Sequence, residues 1–195
     1  MISHPSTRCR RGSPPSLGPR VQQRDAARQA VGWVKAMDPK MDEVPDAFKV
    51  FSEHPYGVAV FDADEDGELD CLTTKRTEFN PEGPSVTYVW MLKGLKGFER
   101  RKIALHMKPG AAPDKVLFTY DDDDQELDMT LLYTDYKACA IVDLPFKGRK
   151  ECVMWVPYAI KDAVPLHCVE HYDESCEVKI PSYDRDTCSQ VPDEL

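Results

Sequence analysis

Eight short stretches in which bulky apolar residues alternate with smaller or polar ones constrain this chain more than any other feature. Tyr56–Phe61 is the first and Leu69–Arg76 the second. Val86–Trp90, Ile103–Met107, Val116–Tyr120, Met129–Tyr133, Ala140–Val142 and Val153–Trp155 follow. A period of two sends successive side chains to opposite faces, the pattern of a strand buried on one side. The connections carry turn chemistry: Asp66-Gly67, Pro81-Glu-Gly83, Pro109-Gly110, the Asp121–Asp124 run and Lys147-Gly148. Eight strands so spaced imply an all-β fold, either an up-and-down barrel or a sandwich. A barrel of that size is just wide enough to hold one small ligand.

Helical patterns flank the strands. Residues 46–51 follow Pro45 with Asp46 as a cap, and Pro165 starts a helix through Tyr172. Residues 25–38 are expected to form a further short helix capped by Asp25. Residues 1–28 hold Pro14-Pro15, two glycines and many arginines without periodicity, and read as disordered. The expected organisation is a segment 1–30, disordered or an alternative start, ahead of a ligand-binding barrel over 45–190.

The chain has seven cysteines, Cys9, Cys71, Cys139, Cys152, Cys168, Cys176 and Cys188, with no CxxC pair. Setting aside Cys9 leaves six, a number that suits three disulfides and an oxidising compartment. Scattered buried thiols in a cytosolic protein are the competing reading. Met1–Arg28 lacks the apolar core of a signal peptide and, Arg-, Ser- and Pro-rich, also matches a transit peptide. The expectation is secretion, with this segment an alternative start in place of a signal sequence. The closing Pro192-Asp193-Glu194-Leu195 lacks the basic residue of an ER-retention signal and reads as a chance match. Residues 1–30 carry six Arg against Asp25, leaving 19 basic and 33 acidic side chains beyond them, a body charge of −14. Such a body repels phosphate backbones, which argues against nucleic acid as a partner. No apolar run approaches the ~18 residues of a membrane span, and the expected species is a monomer.

Asp62-Ala-Asp64-Glu-Asp66-Gly67 follows an EF-hand calcium loop, but Thr73 stands where its bidentate Glu belongs. Pro55 and Gly57 also break the entering helix. An acidic hairpin turn is the preferred reading, with weak calcium binding through 62–70 the alternative. His167 and His171 have a zinc-compatible spacing but no fitting third ligand. No GxSxG, HExxH, P-loop or GxGxxG occurs, so neither catalysis nor a cofactor or metal is expected. Tyr88, Trp90, Phe118, Tyr120, Tyr133 and Trp155 lie on alternating strands, where they serve either a packed core or an apolar ligand wall.

From Tyr133 onward the chain resembles the tick salivary lipocalins of the histamine-binding type. The resemblance rests on Tyr133-Thr-Asp135-Tyr136-Lys-Ala-Cys139, Glu151-Cys152-Val-Met-Trp155, Val164-Pro165-Leu-His-Cys168 and Tyr183-Asp184-Arg-Asp186-Thr-Cys188. With Cys71 on the second strand and the opening helix at Asp46–Lys49, it spans about 45–190. It implies an eight-stranded antiparallel lipocalin barrel with a short N-terminal and a C-terminal helix. It also implies disulfides Cys71–Cys188, Cys139–Cys168 and Cys152–Cys176, with Cys9 unpaired. The implied function is secreted sequestration of a host mediator, a biogenic amine such as histamine or serotonin, in evasion of host defence. Amine-binding members carry acids where this chain has Ala140 and Val153, and an ammonium buried without a carboxylate is costly. Phe118 and Tyr120 match a ligand-facing pair. Arg100 or Arg101, if turned inward, would favour an anion, so a fatty acid or leukotriene is the alternative ligand.

Overall fold

Strand β1 (Tyr56–Asp62) pairs on one side with β2 (Thr73–Asn80) and on the other with β8 (Arg149–Val156), and this double pairing closes a barrel. Between them run β3 (Ser85–Leu92), β4 (Arg101–Pro109), β5 (Lys115–Tyr120), β6 (Asp123–Thr134) and β7 (Ala140–Phe146), each antiparallel to its neighbours. The structure, a computed structural model, describes residues 44–121 and 123–191. The helix expected at 25–38, the segment 1–30 and Cys9 lie outside the described residues. Of barrel and sandwich, the chain forms the barrel.

The alternation read from the sequence sorts the side chains. Tyr88, Trp90, Leu105, Phe118, Leu131, Val142 and Val153 point inward into one apolar cluster. Val58, Val60, Ile141 and Met154 point outward on the opposite face, where Tyr172 and Cys168 of helix α2 (Leu166–Ser175) cover them. The Tyr172 hydroxyl is buried yet satisfied, donating to Cys152 O at 2.8 Å and Val178 O at 3.1 Å.

Helix α1 (Ala47–Glu53) lies across one end of the barrel. Asp46 caps it as expected, its carboxylate accepting from Lys49 N at 3.1 Å. The Asp46 N–H donates in turn to the Tyr136 hydroxyl at 2.9 Å. That tyrosine belongs to a turn organised by Asp135, whose Oδ1 accepts from the N–H groups of Lys137, Ala138 and Cys139. The Tyr133–Cys139 motif is thus a device that sets the β6–β7 turn and orients Cys139 toward α2.

All three disulfides pair as the resemblance implied: Cys71–Cys188, Cys139–Cys168 and Cys152–Cys176. Each ties the C-terminal segment to the barrel and stabilises by about 2–4 kcal/mol through the unfolded chain. Two short elements went unforeseen in that segment, β9 (Ile180–Pro181) paired with the end of β1 and α3 (Arg185–Cys188) capped by Asp184.

Two stretches differ from the expectation. The second strand starts at Thr73, not Leu69. Gly67 and Cys71 have positive φ (83° and 60°), which turns the chain so that Leu69 and Leu72 drop into the barrel end, both 0 % exposed. Cys71 therefore lies in this turn and not on a strand. Within the acidic run, Asp123 and Asp124 already belong to β6, and Asp121 reaches across to β4, accepting from Ala104 N and His106.

Candidate ligand-binding site

The interior has two unlike ends. Beneath α1 a cavity of about 80 Å³ is walled by Val50, Met107, Met129, Leu131 and Ala140, with Trp90 and Trp155 at its floor. Gly57 makes room for that floor, since a Cβ there would meet Trp155 Cε3 at 3.2 Å. The two indoles lie 5.7 Å apart. Polar groups are few and occupied. The Tyr88 hydroxyl donates to His54 O, and His54 Nε2 lies 3.0 Å from Tyr136 O. Burial pushes the Tyr88 phenol up to about 12, against the lowering charge of Arg76 nearby. Arg76 reaches across from β2 and donates to Phe51 O and Ser52 O, the open carbonyls at the end of α1. No carboxylate lines this cavity among the described residues.

At the other end, where the β1–β2 loop folds over the barrel, carboxylates are dense. Asp62, Asp64, Glu68 and Glu151 are each at most 4 % exposed. Glu68 is gripped by Arg101 at 3.0 Å and Lys147 at 2.6 Å. Arg149 reaches Asp64 at 3.2 Å and Asp66 at 2.7 Å. Asp62, Asp64 and Asp66 form a staircase, each accepting the backbone N–H two residues on. Where an EF-hand loop would hold calcium, Asp64, Asp66 and Glu68 meet guanidinium and ammonium groups of the chain itself.

Two of the buried acids are not fully satisfied. Glu151 points into the barrel, 3.6 Å from Arg149 through one oxygen, while its Oε2 is buried without a partner. Asp62 Oδ2 is likewise buried without a hydrogen-bond partner. Burial, joined by neighbouring carboxylates, pushes Asp62 and Glu151 each up to about 7, although the Asp64 N–H and Arg149 respectively pull the other way.

A family model, that of tick histamine binding protein, matches residues 35–190. The chain belongs to this family. Among solved structures, the serotonin complex of AM182 shares 15% identity over 77% of this chain and 96% of that one, with a TM-score of 0.57. Lobster apocrustacyanin A1 shares 13% over 72% and 85%, with a TM-score of 0.50. Japanin from Rhipicephalus appendiculatus, bound to cholesterol, gives 11% over 67% and 94%, with a TM-score of 0.48. No curated protein sequence matches the chain. The fold is that of the lipocalin barrels, a class that binds small ligands.

Within this member of the histamine-binding family, the residues singled out from the sequence separate. Tyr88, Trp90 and Trp155 line the α1-end cavity. Phe118 and Tyr120 are interior but pack edge-on to each other, and the Tyr120 hydroxyl donates to Pro145 O at 2.8 Å. Tyr133 faces out of the barrel. A bulge between Leu131 and Tyr133 reverses the alternation, and its ring stacks 3.7 Å from that of His171. Arg101 sits at the loop end, engaged by Glu68. Ala140 lines the cavity and Val153 is wholly buried, so neither family acid position supplies a charge.

His167 and His171 do not converge. His167 lies on Asp135 at 3.0 Å, and this pair adjoins Cys139 and Cys168, the four ligand atoms falling within 4.8 Å of one another. Both cysteines are spent in the disulfide. Sequence reasoning missed Asp62 and Glu151 as a buried pair, and Arg76 as the cation at the α1 end. The one available signal was that Glu151 shares the inward parity of Val153 and Trp155.

Proposed function

We propose that the chain sequesters a small, largely apolar ligand with an uncharged or anionic head in the cavity beneath α1, as a secreted scavenger of a host mediator that performs no catalysis. The observation that carries this reading is a mainly apolar cavity with no carboxylate among the described residues that line it. An ammonium there would be buried without a counter-ion, at a cost of several kcal/mol. An anionic head has Arg76 within the same end of the barrel. At about 80 Å³ the space is roughly half that of the ~150 Å³ apolar cavity that admits benzene. Larger ligands must displace side chains, and the unbranched Met107 and Met129 are suited to move. Three disulfides joining barrel and C-terminal segment agree with an oxidising, extracellular setting.

A second reading has one observation in its favour. The unpartnered oxygens of Glu151 and Asp62 would suit an amine entering from the loop end. Calorimetry of the oxidised protein against histamine, serotonin, a leukotriene and a long-chain fatty acid separates the two. The lipid is expected to bind, quench Trp90 and Trp155 fluorescence, and weaken at least tenfold in Ala140→Phe. Nanomolar histamine that is lost in Glu151→Gln would overturn the apolar reading in favour of the amine.

A further inference from the structure

Outside the barrel the C-terminal segment leaves a groove against the outer face of β1 and β2, bounded by the 3-10 turn Tyr158–Ile160 and by α3. It encloses about 420 Å³, within the ~300–1,000 Å³ of small-molecule sites. The cavity inside the barrel is several times smaller, about 80 Å³. Polar side chains that the fold buries form the base. Thr73 is 7 % exposed and Lys93 6 %, with Lys93 already engaged within the fold. The Thr73 hydroxyl oxygen makes no hydrogen bond, and an unmet buried polar group costs about 1–3 kcal/mol. A ligand oxygen placed beside it would remove that penalty.

Charge and aromatic surface are arranged around the base. Lys161 lies between two rings, its Nζ 4.6 Å from the centroid of Tyr158 and 5.2 Å from that of Tyr183. The one carboxylate among the described lining residues, Asp162, is already shared. Arg185 donates to it at 2.8 Å, Lys161 at 2.9 Å and the Tyr183 hydroxyl at 3.0 Å. These partners, Arg185 first, hold Asp162 well below the usual carboxylate range, so its charge is spent on the two cations. Among the described lining residues, Lys161 and Arg185 against Asp162 leave one positive charge in surplus, on a chain whose net charge is −9. Local surplus of the sign opposite to the whole molecule is the arrangement that concentrates an anion at one place on a repelling surface.

We propose that this groove is a second ligand site, separate from the barrel cavity, for a small ring-bearing anion. The ring lies along Tyr158 and Tyr183, the carboxylate or phosphate rests on Lys161 and Arg185, and one oxygen reaches the Thr73 hydroxyl. Because the sheet separates groove from barrel, the two sites fill independently, and the chain carries an apolar and an anionic ligand at once.

The test titrates phenyl phosphate and phenylacetate into the oxidised full-length protein by NMR, with benzyl alcohol and inorganic phosphate as controls. The two ring-bearing probes distinguish a phosphate from a carboxylate head. At least one is expected to bind with a dissociation constant below about 1 mM, shifting the Tyr158 and Tyr183 ring signals and weakening with salt. Benzyl alcohol and inorganic phosphate should each bind at least tenfold more weakly. Arg185→Gln, at an exposed position, and Lys161→Met, which keeps the apolar stem between the rings, should each cost tenfold or more. Ala140→Phe, which fills the barrel cavity, should leave the affinity unchanged. Absence of saturable binding, indifference to both groove variants, or loss of binding in Ala140→Phe would each overturn the proposal.

Discussion

At the α1 end, Met107, Met129, Leu131 and Ala140 leave space beneath a short helix, whereas at the loop end Asp64, Glu68 and Glu151 are packed against Arg101, Lys147 and Arg149. The same barrel wall supplies both ends, and Trp90, Phe146 and Trp155 stand between them. The difference follows from what each chemistry tolerates. A gap among hydrocarbon side chains forfeits only dispersion contacts, so it persists as a small void. A gap beside a buried carboxylate leaves a charge unsolvated, and the fold closes it with cations wherever they reach. Where they do not reach, at Glu151 Oε2 and Asp62 Oδ2, burial instead pushes the carboxyls up to about 7.

The largest expected effect comes from removing the partition. Trp90 is 3 % exposed and its ring lies 5.7 Å from both Phe146 and Trp155. Trp90→Ala should destabilise by about 3–5 kcal/mol and lower the melting temperature by roughly 10 °C or more. It should also join the two ends, so that ligands longer than the wild-type cavity admits now bind. An unchanged melting curve would mean that the ends are not held apart by packing.

Glu151 sharpens the comparison through pH. Its folded-state value, about 7, lies above the ordinary 4.5. As pH rises from 4.5 to 7 the unfolded chain gives up this proton while the folded chain keeps it, so stability falls across that window and stays lower above it. Asp62 acts in the same direction from 3.8 to about 7. Glu151→Gln should therefore be the more stable protein at pH 8, by about 1–3 kcal/mol, and nearly equal to wild type at pH 4. Denaturant melts at both pH values check this. A variant less stable at pH 8 would show that Arg149 holds Glu151 as an ion pair and that the loop end has no uncompensated acid.

The sequence exposed the repetitive part of this design and hid the part made by closure. Alternation located all eight barrel strands because each sends every second side chain into the barrel, and Asp46 announced α1 because a cap is a local device. The disulfide pairing came from the resemblance, since six cysteines alone leave it open. The Leu69–Leu72 plug was read as strand because its apolar residues resemble one, and only the positive φ at Gly67 and Cys71 turns them inward. Tyr133 was misplaced by a single bulge, which alternation does not register. The acid pair was hidden most deeply. Asp62 and Glu151 stand on strands that become neighbours only when the barrel closes β8 onto β1, so nothing near either residue marks the other.

The smallest expected effect tests whether the α1 end is a lid or a fixed cap. Several contacts hold α1, among them Tyr88 to His54 O, Arg76 to Phe51 O and Ser52 O, and the Asp46 N–H to Tyr136. Tyr88→Phe deletes the first and leaves the ring in place, a loss of about 1 kcal/mol. Because the hydroxyl joins the barrel wall to the residue that ends α1, its removal should appear mainly as faster ligand entry and exit. Stopped-flow tryptophan quenching reads both rates. If α1 must move for a ligand to enter, both rise severalfold while their ratio changes little. If only dissociation rises, the hydroxyl serves the bound ligand and not the helix, and the contrast between a movable apolar end and a clasped charged end loses its kinetic half.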